Sequence, residues 1–147
     1  ENVMTERYCE GERFTGLSFA GEVFESCDFA DCVFVDCSFT KCGLDHTALK
    51  DCSLKYNTFT EMNFNRFDFS NGNEIIGSMF AKCEMQLANF KGTELHETEF
   101  YQCDLRKADF RDAAGYKVDI LGSRLKDAKF SLPEAVNLLA DLKIKLS

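Results

Sequence analysis

The sequence predicts an all-β solenoid of short, flat-sided coils, and three observations predict it. Beginning at Phe14, every fifth residue is large and apolar: Phe14, Phe19, Phe24, Phe29, Phe34, Phe39, Leu44, Leu49, Leu54, Phe59, Phe64 and Phe69. After a slip of one residue the series resumes at Phe80, Met85, Phe90, Leu95, Phe100, Leu105 and Phe110, then Ile120, Leu125 and Phe130. Second, the position two before these residues is small: Cys27, Cys32, Cys37, Cys42, Thr47 and Cys52, then Cys83, Ala88, Thr93, Thr98, Cys103, Ala108, Ala113, Ser123 and Ala128. Third, 15 Phe and a single Pro in 147 residues favour strands, which accommodate aromatic side chains well. Only Phe67 stands outside the one-in-five position.

A period of five matches neither the two of a strand face nor the 3.6 of a helix stripe. It matches a coil of four short sides, each presenting one large residue to a shared axis. The residue two earlier then also points inward, where only a small side chain fits. The other three positions of each unit face water and hold most of the charged residues. Repeats at a fixed period decide the architecture before any local reading does.

The units Ala88-Asn89-Phe90-Lys91-Gly92 and Ala108-Asp109-Phe110-Arg111-Asp112, with Cys103-Asp104-Leu105-Arg106-Lys107, carry an A-(D/N)-(L/F)-x-x pattern. On these units, and on the recurrence from about residue 12 to 130, the chain resembles the pentapeptide-repeat family. The resemblance implies a right-handed quadrilateral β-helix. Twenty-four units make six coils, or a rod of roughly 29 Å at the ~4.8 Å strand spacing. The expected domains are the repeat at 1–130 and a terminal segment at 131–147.

Two irregularities interrupt the repeat. Asn71, Gly72 and Asn73 hold the one-residue insertion, in a stretch through Gly77 whose Asn-Gly and Gly-Asn pairs tolerate positive φ. A bulged turn or small outward loop is expected there, either correcting the register or contacting a partner. At Gly115 a large residue is due, and Tyr116 is the nearest side chain able to fill the gap.

Ser131-Leu132-Pro133-Glu134 has the form of a capping box with Pro in the first turn. The spacing of Val136, Leu138, Leu139 and Leu142 predicts an α-helix of about ten residues from Leu132. Lys143 to Leu146 alternates like a short strand. The quinolone-resistance members of the family, the Qnr and MfpA types, end in a similar apolar helix and extended tail that form their dimer interface. That resemblance implies a homodimer through Val136, Leu138, Leu139, Leu142, Ile144 and Leu146 across an isologous patch.

No constellation for catalysis is visible, and the chain reads as no enzyme, with no cofactor. His46 and His96 both fall on outward positions fifty residues apart, with no nucleophile beside a base. Cys27, Cys32, Cys37 and Cys42 stand on four different sides of a coil filled by large residues. A tetrahedral zinc site, needing all four sulfurs at ~2.3 Å, does not fit there, and no metal is expected. Eight cysteines without an apolar signal segment read as reduced thiols in a cytoplasmic protein. Cys32 stacks on Cys52 and Cys83 on Cys103, close enough for a disulfide by distance but disfavoured by a reducing compartment. A first residue Glu instead of Met points to a trimmed start.

The net charge of −8 argues against direct binding of nucleic acid or an anionic membrane. Glu25 stacks on Asp45 and Asp31 on Asp51 at a spacing of twenty, like charges that mildly destabilise. Glu84 over Asp104 and Glu99 over Asp119 fall on the consensus acidic position. The first two pairs mark a surface kept acidic for a partner. In the Qnr and MfpA types such a surface mimics DNA and binds DNA gyrase and topoisomerase IV. Residues 12–71 hold ten acids and five bases, net −5, and residues 72–130 ten acids and nine bases, net −1. The resemblance therefore implies a partial mimic, with a scaffold for some other protein as the alternative.

Overall fold

The computed structural model describes residues 3–147, with residues 3 and 4 described in their backbone alone. The expected repeat domain starts at residue 1, and residues 1 and 2 lie outside the described residues.

The chain winds into a four-sided solenoid of parallel strands, most of them three residues long. Side one begins with Val3–Thr5 and Val23–Glu25, and side two carries Tyr8–Glu10, Asp28–Ala30 and Ala48–Lys50. Side three is built from Arg13–Thr15, Val33–Val35, Ser53–Lys55 and Glu74–Ile76. Side four is the longest sheet: Ser18–Ala20, Ser38–Thr40, Thr58–Thr60, Met79–Ala81, Glu99–Tyr101 and Lys117–Val118. Single bridges continue sides one to three beyond these strands, as Glu84 to Asp104 to Arg124 does on side one.

Each large residue sits mid-strand and meets its counterpart twenty residues on, as Phe14 meets Phe34 and Phe19 meets Phe39. Rings therefore stack along the axis, with Phe69 and Phe90 4.6 Å apart and Phe80 and Phe100 5.0 Å apart, both nearly coplanar. Across the bore they meet edge to face, as Phe59 and Phe64 do at 5.6 Å and 77°. Both geometries suit the ring quadrupole, at about 0.5–1.5 kcal/mol per pair beyond burial.

The corners carry a second regularity. Two residues after most of the large ones, and three after Phe69 where the insertion falls, the backbone turns left-handed, with φ from 49° at Glu6 to 71° at Gly72. Glycine fills this place at 11, 16, 21, 72, 77 and 92, and aspartate at 31, 36, 51, 112 and 127. Asp tolerates this region because its short side chain bonds the local backbone.

The small inward residues do more than fit. Several bond the carbonyl of the mid-strand residue in the preceding coil: Cys32 Sγ to Cys9 O at 3.4 Å, Thr47 Oγ1 to Phe24 O at 2.9 Å, Thr98 Oγ1 to Ile75 O at 2.8 Å. Hydroxyl and amide residues also accept an amide from that coil, as Thr47 Oγ1 does from Cys27 and Asn57 Oδ1 from Cys37. Asn57, Met62, Asn73 and Ser78 hold the same position, outside the run of Cys, Ala and Thr that the pattern picks out. Phe67 holds it too, half-buried, with its ring 4.7 Å from that of Phe69.

Within the expected repeat domain, Met4 and Cys9 are already mid-strand, paired with Phe24 and Phe29. The structure corrects four expectations. Ile120 does not stack on Phe100; Val118 does, since the coil through Gly115 is two residues short. Glu99 accordingly pairs with Lys117 and not with Asp119. The terminal helix is a 3-10 helix spanning Glu134–Leu142, not an α-helix from Leu132, and residues 143–147 form no strand.

Gly115, at φ 81°, lies so close to the chain below that an added Cβ would meet His96 Cα at 2.6 Å. Tyr116 fills the space, 3% exposed, with its ring 5.5 Å from Phe110 and 5.7 Å from Phe130.

Candidate partner-binding face

Side two and its two margins gather many of the acidic residues of the first coils, while Glu22, Asp36 and Glu61 stand at the corners beside side four. Glu10 and Asp28 project from its strands, and Asp68 stands in the same column, bridged to Asn89. Glu25 and Asp45 lie one coil apart at the end of side one, where the Ser26 amide bonds Asp45 O at 2.8 Å. Asp31 and Asp51 lie one coil apart on the far corner, where the Asp31 amide bonds Lys50 O. All four predicted acids are exposed, so the fold brings them to the margins of one face. Sequence spacing alone could not show that Glu10, Asp28 and Asp68 fill the strip between them.

The strip is felt by Tyr8, an exposed phenol on the same strand as Glu10. Its pKa is raised by desolvation and by the negative charges of Glu10, Asp31 and Asp28. Lys50 lies on this side and Arg66 at the corner before it, so the face is acidic without being uniformly so. Side four offers the contrast. Ser18, Ala20, Ser38, Thr40, Thr58, Thr60, Met79 and Ala81 make its outward surface over four strands, and none is charged.

Asp31 and Asp51 have a structural reason as well, which corrects their reading as stacked charges without one. Both occupy left-handed corners, φ 53° and 51°, where Asp is among the preferred residues. Glu25 and Asp45 have no such reason.

The insertion projects little. Asn71 and Gly72 are exposed, and an added Cβ on Gly72 would strike the Asp51 carboxylate. Asn73 is buried: its Oδ1 accepts the Cys52 amide at 2.8 Å, and its Nδ2 donates to Leu49 O and Phe69 O. It serves as a small inward residue of the repeat, so this turn corrects the register.

Further along, the charges are balanced locally. Arg106 bonds Asp104 at 2.6 Å and Arg111 bonds Asp109 at 2.7 Å, each holding its carboxyl below the usual range. Lys117 and Glu97 pair at 2.6 Å.

The terminal segment closes the last coil. Ser131 and Glu134 form no capping box, since no side chain caps the helix at Pro133. They accept solenoid amides instead: Asp112 N to Ser131 Oγ at 2.8 Å and Gly115 N to Glu134 Oε2 at 3.1 Å. Asp141 Oδ2 accepts the Ile120 amide in the same way at 3.2 Å. Leu138 packs against the core and Leu139 is half-buried, while Val136, Leu142, Ile144 and Leu146 remain exposed.

All eight cysteines are buried. Among the described residues no group of three or more His, Cys, Asp or Glu is placed to hold a metal ion. His46 and His96 are exposed. No helix among the described residues is long and apolar enough to cross a membrane.

The profile of the family described as Pentapeptide repeats matches eight copies, over residues 76–106 and 95–131. No curated protein matches the sequence. Among solved structures the chain is similar to a trypsin-treated form of QnrB1, a plasmid-mediated fluoroquinolone resistance protein. The identity is 17%, over 99% of this chain and 100% of that one, with a TM-score of 0.31. It is similar to a pentapeptide repeat protein from the Arabidopsis thaliana thylakoid lumen, at 14% identity over 88% and 76% of the two chains, TM-score 0.48. A third is HetL from the cyanobacterium Nostoc, involved in heterocyst differentiation regulation, at 13% identity over 84% and 88%, TM-score 0.19. Residues 76–131 are thus built of pentapeptide repeats, and the four-sided coils in which they stand continue through the earlier part of the described chain.

Proposed function

We propose that this chain is a non-catalytic, cytoplasmic binding protein whose acidic side two docks on a basic protein surface. The observation that carries the reading is the gathering of Glu25, Asp45, Asp31 and Asp51 around Glu10, Asp28 and Asp68. Such a strip offers negative charge at strand spacing to a surface built for a phosphate backbone. The partner class is a type II topoisomerase, and its protection from fluoroquinolones is the physiological effect. The mimicry is partial, because Arg106, Arg111 and Lys117 neutralise the later coils. A gyrase supercoiling assay, with and without a fluoroquinolone, tests this. Inhibition or drug protection at low protein concentration supports the reading, and it should vanish on reversing Glu25, Asp31, Asp45 and Asp51 to Lys. No effect at any concentration removes it.

That balance of charge favours a second reading, a scaffold for some other protein, to be identified by pull-down with the same charge-reversed variant as control. In either case the exposed Val136, Leu142, Ile144 and Leu146, with Leu138 and Leu139 beneath them, are proposed to join two copies. Leu142→Glu with Ile144→Glu leaves Ser131, Glu134 and Asp141 in place and should yield a monomer by light scattering. An unchanged mass sinks the dimer.

A further inference from the structure

Asparagine is among the thermolabile residues, because the backbone nitrogen of the next residue can attack its side-chain amide. The two close a five-membered ring and ammonia leaves. A fold protects an asparagine in two ways. Hydrogen bonds hold its side chain in place, and a side chain on the following residue crowds the nitrogen.

Among the described residues every asparagine but one has both protections. Asn57 and Asn73 are buried, and each bonds the backbone through both ends of its amide. Asn63 Oδ1 accepts the Asn65 amide, Asn65 Oδ1 the Gln86 amide and Asn89 Oδ1 the Lys91 amide, at 2.8–2.9 Å. Asn137 Nδ2 donates to Glu134 at 3.4 Å. None of these is followed by glycine.

Asn71 has neither protection. It is exposed, its side chain forms no hydrogen bond, and Gly72 follows it. Glycine stands there because the corner is left-handed, at φ 71°, and because a Cβ would strike the Asp51 carboxylate. The residue that the close approach requires therefore also leaves its own nitrogen unscreened. The Gly72 amide donates to Ser70 O at 2.9 Å. That bond must open for the reaction, but it lies within the turn and ties no coil to another.

We propose that Asn71 is a modification site, at which the chain converts its own side-chain amide into a carboxylate. The Gly72 nitrogen gives its proton to solvent base and bonds Asn71 Cγ. The Cγ–Nδ2 bond breaks, and Nδ2 takes up a proton and leaves as ammonia. Water then opens the cyclic imide. Attack at Cγ gives aspartate in the ordinary chain, and attack at the Asn71 backbone carbonyl gives isoaspartate, whose chain runs through the former side chain. The net change is one water consumed and one ammonia released.

Either product puts a carboxylate beside Asp51, whose amide bonds the Asn71 carbonyl at 2.8 Å. The acidic corner of Asp31 and Asp51 thereby gains a charge with age, and such a gain next to acids acts by repulsion. The corner already absorbs an added residue, as the pairing of Leu54 with Ile75 shows, so the longer backbone of isoaspartate falls where the coil has slack. The conversion does not depend on what side two binds.

The test incubates the native protein beside the same chain in denaturant, at mildly alkaline pH, and maps both by peptide mass spectrometry. In the native protein residue 71 should gain the mass that separates acid from amide. Its peptide should resolve into two isomers and form faster as pH rises. Asn63, Asn65 and Asn89 should stay unchanged over the same interval. On ion exchange the ageing protein should develop a species that elutes with Asn71→Asp. Asn71→Gln should develop none, since glutamine closes only a less accessible six-membered ring. Hydrogen exchange at the Asp51 amide reports whether the corner is intact in each variant. A native residue 71 still amidated when the denatured chain has fully converted overturns the proposal, and so does conversion of Asn63, Asn65 or Asn89 at the same pace.

Discussion

The Asn57 side-chain amide donates to the Phe34 carbonyl, one coil below, at 2.9 Å, while its oxygen accepts the Cys37 amide at the same distance. One side chain thus closes two backbone groups that the strand ladder leaves open inside the bore. Asn57 is 1% exposed, so water cannot take its place. Replacing it with Leu should cost about 2–6 kcal/mol, the sum for two buried groups left unpaired at about 1–3 each. Urea denaturation of Asn57→Leu checks this, and Asn57→Thr should recover part of the loss.

Two glycines at positive φ should respond very differently to alanine. Gly92 has nothing within 4 Å of an added Cβ, so Gly92→Ala should cost only the left-handed penalty of about 1–2 kcal/mol. Gly115 would drive its Cβ into the His96 backbone, and that backbone belongs to the coil below. Gly115→Ala should therefore lower the thermal midpoint several times further, and free the Tyr116 ring to a degree visible in near-ultraviolet dichroism.

Acid should weaken the later coils through Asp104 and Asp109. Hydrogen bonds from Arg106 and Arg111 lower both carboxyl pKa values, against an opposing effect of burial. A carboxyl depressed in the folded state contributes its stability above the unfolded value, about 3.9 for Asp. That contribution is lost as pH falls through the lower folded value. Asp104→Asn with Asp109→Asn should be less stable than the parent at neutral pH. Its stability should fall less steeply below about pH 4, as measured by denaturation midpoints across pH.

The thiols should be inert until the coils open. Burial is the leading cause of the raised pKa values of Cys42 and Cys52, and the thiolate is the reactive form. A thiol reagent at mildly alkaline pH should leave the native protein largely unlabelled and reach all eight cysteines in denaturant.

The period of five was legible because each side of a coil needs one large inward residue, a demand met without exception from Phe14 to Phe69. What escaped were places where another residue meets the same demand. Cys9 is mid-strand but not large, so the series of large residues does not reveal it. Asn57, Asn73 and Ser78 replace small apolar residues because they bond the backbone that Ala and Cys leave unpaired. Ile120 has the right side chain at the right spacing, yet Gly115 sits so close to His96 that the coil shortens and Val118 takes its place. Ser131 and Glu134 carry the right spacing for a helix cap, but the open amides of Asp112 and Gly115 claim them. On the acidic face the individual acids were legible. Their grouping was not, since neighbours there are twenty residues apart in sequence.

The turn at Asn71–Asn73 shows how such a chain absorbs an error. Pairing across it runs at 21 residues, as Leu54 to Ile75, and returns to 20 by Phe80 to Phe100. The extra residue is spent within one corner, and every column of side chains above it stays aligned with those below. Cross-section and length are therefore separate variables in this architecture. An odd residue perturbs one corner, while a whole coil gained or lost changes only how far the faces extend. The reach of a binding face on this chain is set by counting coils, and its chemistry by the few columns that run along them.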